Sequence, residues 1–248
     1  MYPILLRIGP VRIYSYGVML ALAFSVCLFL ALKRCGLFGI RQDIFSNLVL
    51  VLLFSGIIGA RLLYVFSEID FFSQNPVEIF MINRGGLVFY GAFIFAPLFG
   101  ILYAKKSRIS VADAADLLAP FIALGHSIGR IGCFLNGCCY GRPTDLMIGV
   151  CFPSSHVKVY PVQIFSSIGL FFIFIALSRI QQNRAFKGQV IAWYLILYGL
   201  FRFAIEFFRG DLPQLFFGLS LTRIISIAFV LTGLLIIYFS RGHEQSIT

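Results

Sequence analysis

Long apolar runs alternate with short polar gaps along the whole chain. Seven runs approach the roughly 20 residues that a helix needs to cross a bilayer. They are 15–32, 47–66, 86–104, 116–135, 162–177, 189–208 and 221–239. The fourth is interrupted by Arg130 and several glycines, the fifth is short but unbroken, and Pro97 is expected to kink the third. The first run lacks a basic leader and a small-residue cleavage site, so it is expected to remain as a helix. The longest polar gap, 137–160, has no room for a soluble domain. The pattern predicts an all-α, polytopic membrane protein: seven transmembrane helices in one integral membrane domain, 1–248. No internal repeat is visible, which leaves an inverted-repeat transporter little support.

Composition agrees. The chain is 60% hydrophobic and 12% charged, where a soluble domain carries about 25% charged residues. The net charge is +10, but the basic residues are scattered among apolar segments and form no nucleic-acid-binding face. Their distribution sets the orientation instead. Lys33, Arg34, Arg41, Lys105, Lys106, Arg108, Arg179, Arg184, Lys187 and Arg241 fall on one side. Arg7, Arg12, Arg84, Arg142, Lys158 and Arg209 fall on the other, which also holds Glu68, Asp70, Glu78, Asp145 and Asp211. The N-terminus is therefore expected outside and the C-terminus in the cytoplasm.

That threading gathers the unusual polar residues in the outer half of the bundle. Arg61, Arg130, Arg202 and Glu206 come late in outward-running helices, and Tyr16, Tyr90 and Arg223 early in inward-running ones. Asp116 is the exception, at an inner end. A charge in hydrocarbon is expensive unless it is paired or faces water, so each marks a candidate site. Tyr198, Arg202 and Glu206 repeat at i, i+4 and i+8 and share one helix face, which Arg209 can continue. They make either a structural ion pair or an anion cradle in which Glu206 orients the guanidinium; the planar fork suits a phosphate. Arg130, flanked by glycines, is a second anion ligand or a partner of Glu206. Arg61 either snorkels to headgroups or lines the site, and Arg223 reads as an interfacial anchor. The turn at Gly85 and Gly86, just before Tyr90, frees backbone N–H groups that can bind an oxyanion.

The six cysteines are Cys27, Cys35, Cys133, Cys138, Cys139 and Cys151. Their spacing does not match a zinc motif, and the three histidines are too dispersed to complete one, so neither a metal nor a cofactor is expected. A disulfide from Cys151 to Cys138 or Cys139 is open, and Cys133 also reads as a small packing residue. No Ser-His-Asp arrangement is evident.

Six stretches together resemble the bacterial prolipoprotein diacylglyceryl transferases over nearly the whole chain. They are IYSYGVMLALAF, GARLLYV, GGLVFYGA, DLLAPFIALGHSIGRIGCFLNGCCYGRPTD, YPVQIF and YGLFRFAIEFFRGD. The GRxGxFxNGxxxGR and YGxFRxxxEFFR patterns are long and specific. The resemblance implies a seven-helix enzyme of the bacterial plasma (inner) membrane. It would transfer the diacylglyceryl group of phosphatidylglycerol to the lipobox cysteine of a prolipoprotein signal peptide, releasing glycerol phosphate among the membrane lipids of the outer leaflet. Arg130 and Arg202 match the two arginines that hold the headgroup phosphate. Tyr16, Asn136, Gly141, Tyr198 and Glu206 match further family positions and are expected in substrate binding, with Arg61, Gly85 and Gly86 beside them. Tyr90 stands where well-studied members carry a histidine proposed as the base, and is expected to act in its place. Cys133 and Cys138 replace an asparagine and a glutamate, Tyr160 a histidine and Ser166 a glutamate. Two other readings compete: a non-catalytic lipid-binding paralogue and an organic-anion transporter.

Overall fold

The computed structural model describes residues 2–9, 11–81, 85–152, 157–209, 214–216 and 219–245. The N-terminus forms an antiparallel hairpin, β1 (Ile4–Ile8) and β2 (Val11–Tyr14), which runs into helix α1 (Ser15–Arg34). Then come α2 (Gln42–Ser67), the short α3 (Ile69–Gln74), α4 (Phe89–Lys106) and α5 (Val111–Asn136). A small hairpin, β3 (Val150–Cys151) with β4 (Lys158–Val159), precedes α6 (Val162–Gln182) and α7 (Gln189–Glu206). A third hairpin, β5 (Gln214–Phe216) with β6 (Leu219–Ser220), leads into α8 (Leu221–Gln245).

Six helical stretches among the described residues are long and apolar enough to cross a membrane: Ser15–Phe38, α2, α5, α6, α7 and Leu221–Ser240. The chain is a polytopic membrane protein. The third expected span is present as α4, but it starts at Phe89 rather than Gly86 and ends in Lys105 and Lys106. Those two ammonium groups lower its mean hydropathy, and it is not among the six. Asp116, expected at the start of the fourth span, instead lies inside α5, which begins five residues earlier.

The chain divides into two compact units, Met1–Arg34 with Ala115–Thr248, and Cys35–Ala114. In the first, the core is built where α5, α6 and α7 meet. Ala119, Ala123, Leu170, Leu177 and Val190 are fully enclosed there, with Tyr194 against them. Ser127 Oγ donates to the Ser167 carbonyl at 2.7 Å and ties α5 to α6. Helices α7 and α8 approach closely because Gly199 and Gly233 face each other's partners: a Cβ at Gly233 would lie 2.6 Å from the Ala192 carbonyl oxygen.

Asp116 explains itself in this unit. It is 0% exposed, and its carboxylate accepts the N–H groups of Gly188 (2.8 Å) and Ile191 (2.9 Å) and an Arg184 guanidinium N–H (3.1 Å). A helix N-terminus carries partial positive charge and unsatisfied N–H groups. Asp116 on α5 therefore caps α7 across the bundle, and Gln181 seals it by donating to the Asp116 carbonyl at 2.8 Å.

In the second unit, α2 and α4 pack along glycine and alanine faces. A Cβ at Gly91 would overlap the Gly59 backbone, and one at Gly56 would touch Ala92 and Ala96. Without a hydrophobic drive between helices in lipid, such small-residue contact is what holds a pair together.

Candidate active site

The first unit brings together the C-terminal end of α5, the C-terminal end of α7 and the start of α1. Arg130 lies late on α5, half-buried, and its Nε is enclosed without a hydrogen-bond partner. No carboxylate lies within ion-pair distance of it among the described residues. Arg202, on α7, contacts Glu206 one turn on, Nη1 to Oε2 at 3.3 Å, within ion-pair range though not aligned as a hydrogen bond. Glu206 is only 3% exposed, and its other oxygen accepts the Ser220 hydroxyl at 2.8 Å. Thus Glu206 belongs to Arg202 and to Ser220 on β6, and it is not Arg130's partner.

Arg130, Arg202 and Arg209 lie close enough to act on one another or on shared neighbours electrostatically, and Glu206 opposes Arg202. Two further groups sit in the field of Arg130 and Arg202: His126, one turn before Arg130 on α5, and Tyr198. Tyr198 stacks on Tyr194 (centroids 5.5 Å apart) and touches His126 (5.7 Å), so its ring is wedged between helices. Tyr16 at the start of α1 packs against α5, where a Cβ on Gly132 would come within 3.3 Å of its ring. Arg223 lays its guanidinium 5.0 Å over the Phe207 ring, a cation–π contact.

The segment after α5 turns back sharply. Gly137 has φ +74° and Cys139 φ +62°; left-handed backbone is natural for glycine and strained for a residue with a Cβ. Cys138 N–H donates to the Cys133 carbonyl at 3.1 Å, and Gln163 Nε2 donates to the Cys138 carbonyl at 2.7 Å. Beyond it, Gly141 N–H bonds the Tyr160 carbonyl (2.9 Å) and Arg142 N–H the Phe208 carbonyl (3.0 Å). A Cβ on Gly141 would lie 2.5 Å from the Phe208 oxygen. Gly141, expected in substrate binding, thus lets this strand close on the ends of α6 and α7. Asn136, at the last residue of α5, is exposed.

The turn places the Sγ atoms of Cys133, Cys138 and Cys139 within 4.8 Å of one another. All six cysteines are free thiols, so the disulfide open to Cys151 is not formed. The Cys139 thiol is held well below the usual thiol range. The Cys133 hydrogen bond is the main cause; partial burial opposes it, and Cys138, Arg130 and Arg209 add to it.

The other expected residues belong to the second unit. Arg61 is 7% exposed. Its guanidinium donates to the carbonyls of Ile79 (2.9 Å), Gly85 (2.7 Å), Gly86 (3.0 Å) and Glu78 (2.5 Å), with Tyr64 and Phe72 beside it. Neither headgroup snorkelling nor an open fork describes this arrangement: Arg61 holds the chain that leads to α4. Gly85 and Gly86 have φ +85° and +78°, and a side chain on Gly86 would overlap the Tyr64 ring and press on Arg61 Nη1, 2.7 Å away. Tyr90, the second residue of α4, is 44% exposed. Ser220 carried no signal in the sequence, and the cysteines, though noted, showed no metal spacing, because their convergence arises from a chain reversal rather than helical spacing; Arg209 was visible as the end of the Arg202 stripe.

Residues 3–239 match the family described as prolipoprotein diacylglyceryl transferase. The phosphatidylglycerol–prolipoprotein diacylglyceryl transferase of Clostridium tetani is 36% identical over 250 residues, covering 99% of this chain and 100% of that protein. The second such transferase of Clostridium perfringens is 38% identical, covering 94% and 92% respectively. That of Pasteurella multocida is 34% identical, covering 99% and 95%.

Proposed function

The chain belongs to the prolipoprotein diacylglyceryl transferase family, and we propose that it moves the diacylglyceryl group of phosphatidylglycerol onto a cysteine thiol of prolipoproteins. The observation that carries this reading within the chain is the unpartnered guanidinium of Arg130 beside the Arg202–Glu206 pair. Two cations on adjacent helices with one opposing acid favour a phosphodiester over a neutral or cationic ligand. Arg202, held by Glu206, presents a fixed fork; Arg130 has donors left for the ligand.

In the reaction, the acceptor sulfur attacks the glycerol carbon that bears the phosphate. The C–S bond forms as the C–O bond breaks, and glycerol phosphate leaves with the electron pair. Arg130 and Arg202 stabilise the charge that grows on the departing phosphate. The thiol must lose its proton, and Tyr90 is assigned to this step, as base or as hydrogen-bond donor to an oxygen. Tyr16, Asn136 and Tyr198 are assigned to substrate contact, the backbone around Gly141 to shaping their surroundings, and Gly85 and Gly86 to the backbone that leads to Tyr90.

The same reading places the protein in the bacterial inner membrane, acting at the outer leaflet on lipobox-bearing signal peptides, as a single functional domain. Helix α4 would complete seven crossings, with Lys105 and Lys106 in cytoplasmic headgroups, the N-terminus outside and the C-terminus inside. Organic-anion transport gains nothing from Asp116, whose carboxylate is engaged by the N–H groups of Gly188 and Ile191 at the start of α7 and by Arg184. The test is complementation of a strain depleted of the transferase, paired with in vitro transfer from phosphatidylglycerol to a lipobox peptide. Failure of both with folded protein would refute the enzyme and leave a lipid-binding paralogue.

A further inference from the structure

The three-thiol cluster is not used by the chemistry above. Cys133 comes from the last turn of α5, Cys138 and Cys139 from the reversal at Gly137, and their sulfurs lie within 4.8 Å of one another. A zinc–sulfur bond of about 2.3 Å puts the sulfurs of a tetrahedral site about 3.8 Å apart. Closing to that spacing takes about an ångström at most, and Cys139 is the exposed one of the three.

The support around the cluster is specific. Cys138 is fixed through its N–H and its carbonyl, to Cys133 and Gln163. Cys139 is one of two non-glycine residues with positive φ among the described residues, and that strain swings its thiol back over α5. Backbone strain of this kind gathers at sites with a task. Three thiolates around a divalent cation leave one negative charge; Arg130 lies close enough to act electrostatically on Cys133 and Cys139, and Arg209 on Cys139.

We infer that Cys133, Cys138 and Cys139 bind a thiophilic divalent cation, Zn2+, whose fourth position takes the acceptor thiol. Three protein ligands with one open position is the coordination of a reactive rather than a structural zinc. A thiol that coordinates such an ion loses its proton, here to solvent, which leaves Tyr90 the role of hydrogen-bond donor, and it stays a nucleophile beside the arginines. The bond changes remain those of the transfer already described, and the inference rests on that reading for the identity of the fourth ligand.

The test uses the full-length protein, reduced, stripped by a chelator and titrated with Co2+, whose thiolate bonds give a charge-transfer absorption. One equivalent should produce the band, Zn2+ should abolish it, and a lipobox peptide should shift it where the same peptide with serine for cysteine does not. The triple variant Cys133→Ser/Cys138→Ser/Cys139→Ser should lose the band. Cys151→Ser, which alters an exposed thiol outside the cluster, should keep it. Stripping should lower transfer at least tenfold, with recovery on adding Zn2+. A folded wild-type protein without the band, a band indifferent to the peptide, or full turnover after stripping would each overturn the inference; the last would leave the transferase reading intact. A peptide-sensitive band without any transfer would instead support the site and overturn the transferase reading.

Discussion

The two site arginines should differ in what their loss does to the protein. Arg202→Ala strands Glu206, a carboxylate 3% exposed that keeps, among the described residues, the Ser220 hydroxyl at 2.8 Å. Removing one partner of a buried pair typically costs about 3–5 kcal/mol of stability. Arg130→Ala strands no acid, since none lies within ion-pair distance among the described residues, and it relieves repulsion from Arg202. Its stability should change little. Activity should not discriminate between them. Each charge-assisted hydrogen bond contributes about 1.5–3 kcal/mol, so losing a two-pronged phosphate contact removes about 3–6 kcal/mol. That corresponds to about 10²–10⁴ in rate. Arg130→Lys should hold stability yet lose at least about tenfold (1.4 kcal/mol), because a point charge does not reproduce the fork. Adding Glu206→Ala to Arg202→Ala should recover most of the lost stability and none of the activity. The measurements are thermal unfolding in detergent and the mass shift of a lipobox peptide incubated with phosphatidylglycerol. Equal destabilisation by Arg130→Ala and Arg202→Ala, or full transfer by either, would refute the division of labour between an anchored and a free guanidinium.

Three further outcomes follow from the same structure. Asp116→Ala should lower the unfolding midpoint strongly, since it uncaps α7 and leaves Arg184 without its 3.1 Å partner; an unchanged midpoint would show that the cross-bundle cap contributes nothing. A reporter active only outside the cytoplasm should be active when fused after Asp145 and silent after Lys106, and the reverse pattern would invert the topology. Tyr90→Phe should cut turnover at least about tenfold, or 1.4 kcal/mol of barrier. Tyr90→His should keep activity and move the acid limb of the pH–rate profile downward if the residue accepts the thiol proton, but leave that limb in place if it only donates a hydrogen bond. Wild-type turnover in Tyr90→Phe would remove the phenol from the chemistry.

Hydropathy alone located six of the apolar helices, because hydrocarbon demands continuous runs of apolar side chains and internally bonded backbone. It placed α4 as well, though the two lysines in its last turn keep its average low. The Arg202–Glu206 pair was equally legible: one helical turn separates the two residues, and any straight helix brings them together. Arg130 was legible as a costly charge that needed either a ligand or Glu206 as its counterpart. What the sequence left open were relations that depend on where the chain reverses or which helices touch. Whether Glu206 neutralised Arg130 or Arg202 was decided by helix placement and by Ser220, from the hairpin that follows α7. Arg61 looked like a site or headgroup arginine, and only tertiary packing brought it the carbonyls of Glu78, Ile79, Met81, Gly85 and Gly86 that occupy it. Asp116 looked misplaced until α7 began against it. The spacing of Cys133, Cys138 and Cys139 matches no metal motif read along the chain, yet two left-handed residues fold the thiols onto one another. Periodicity reports each helix's own environment; a partner supplied by another segment is fixed by tertiary packing, which local spacing does not encode.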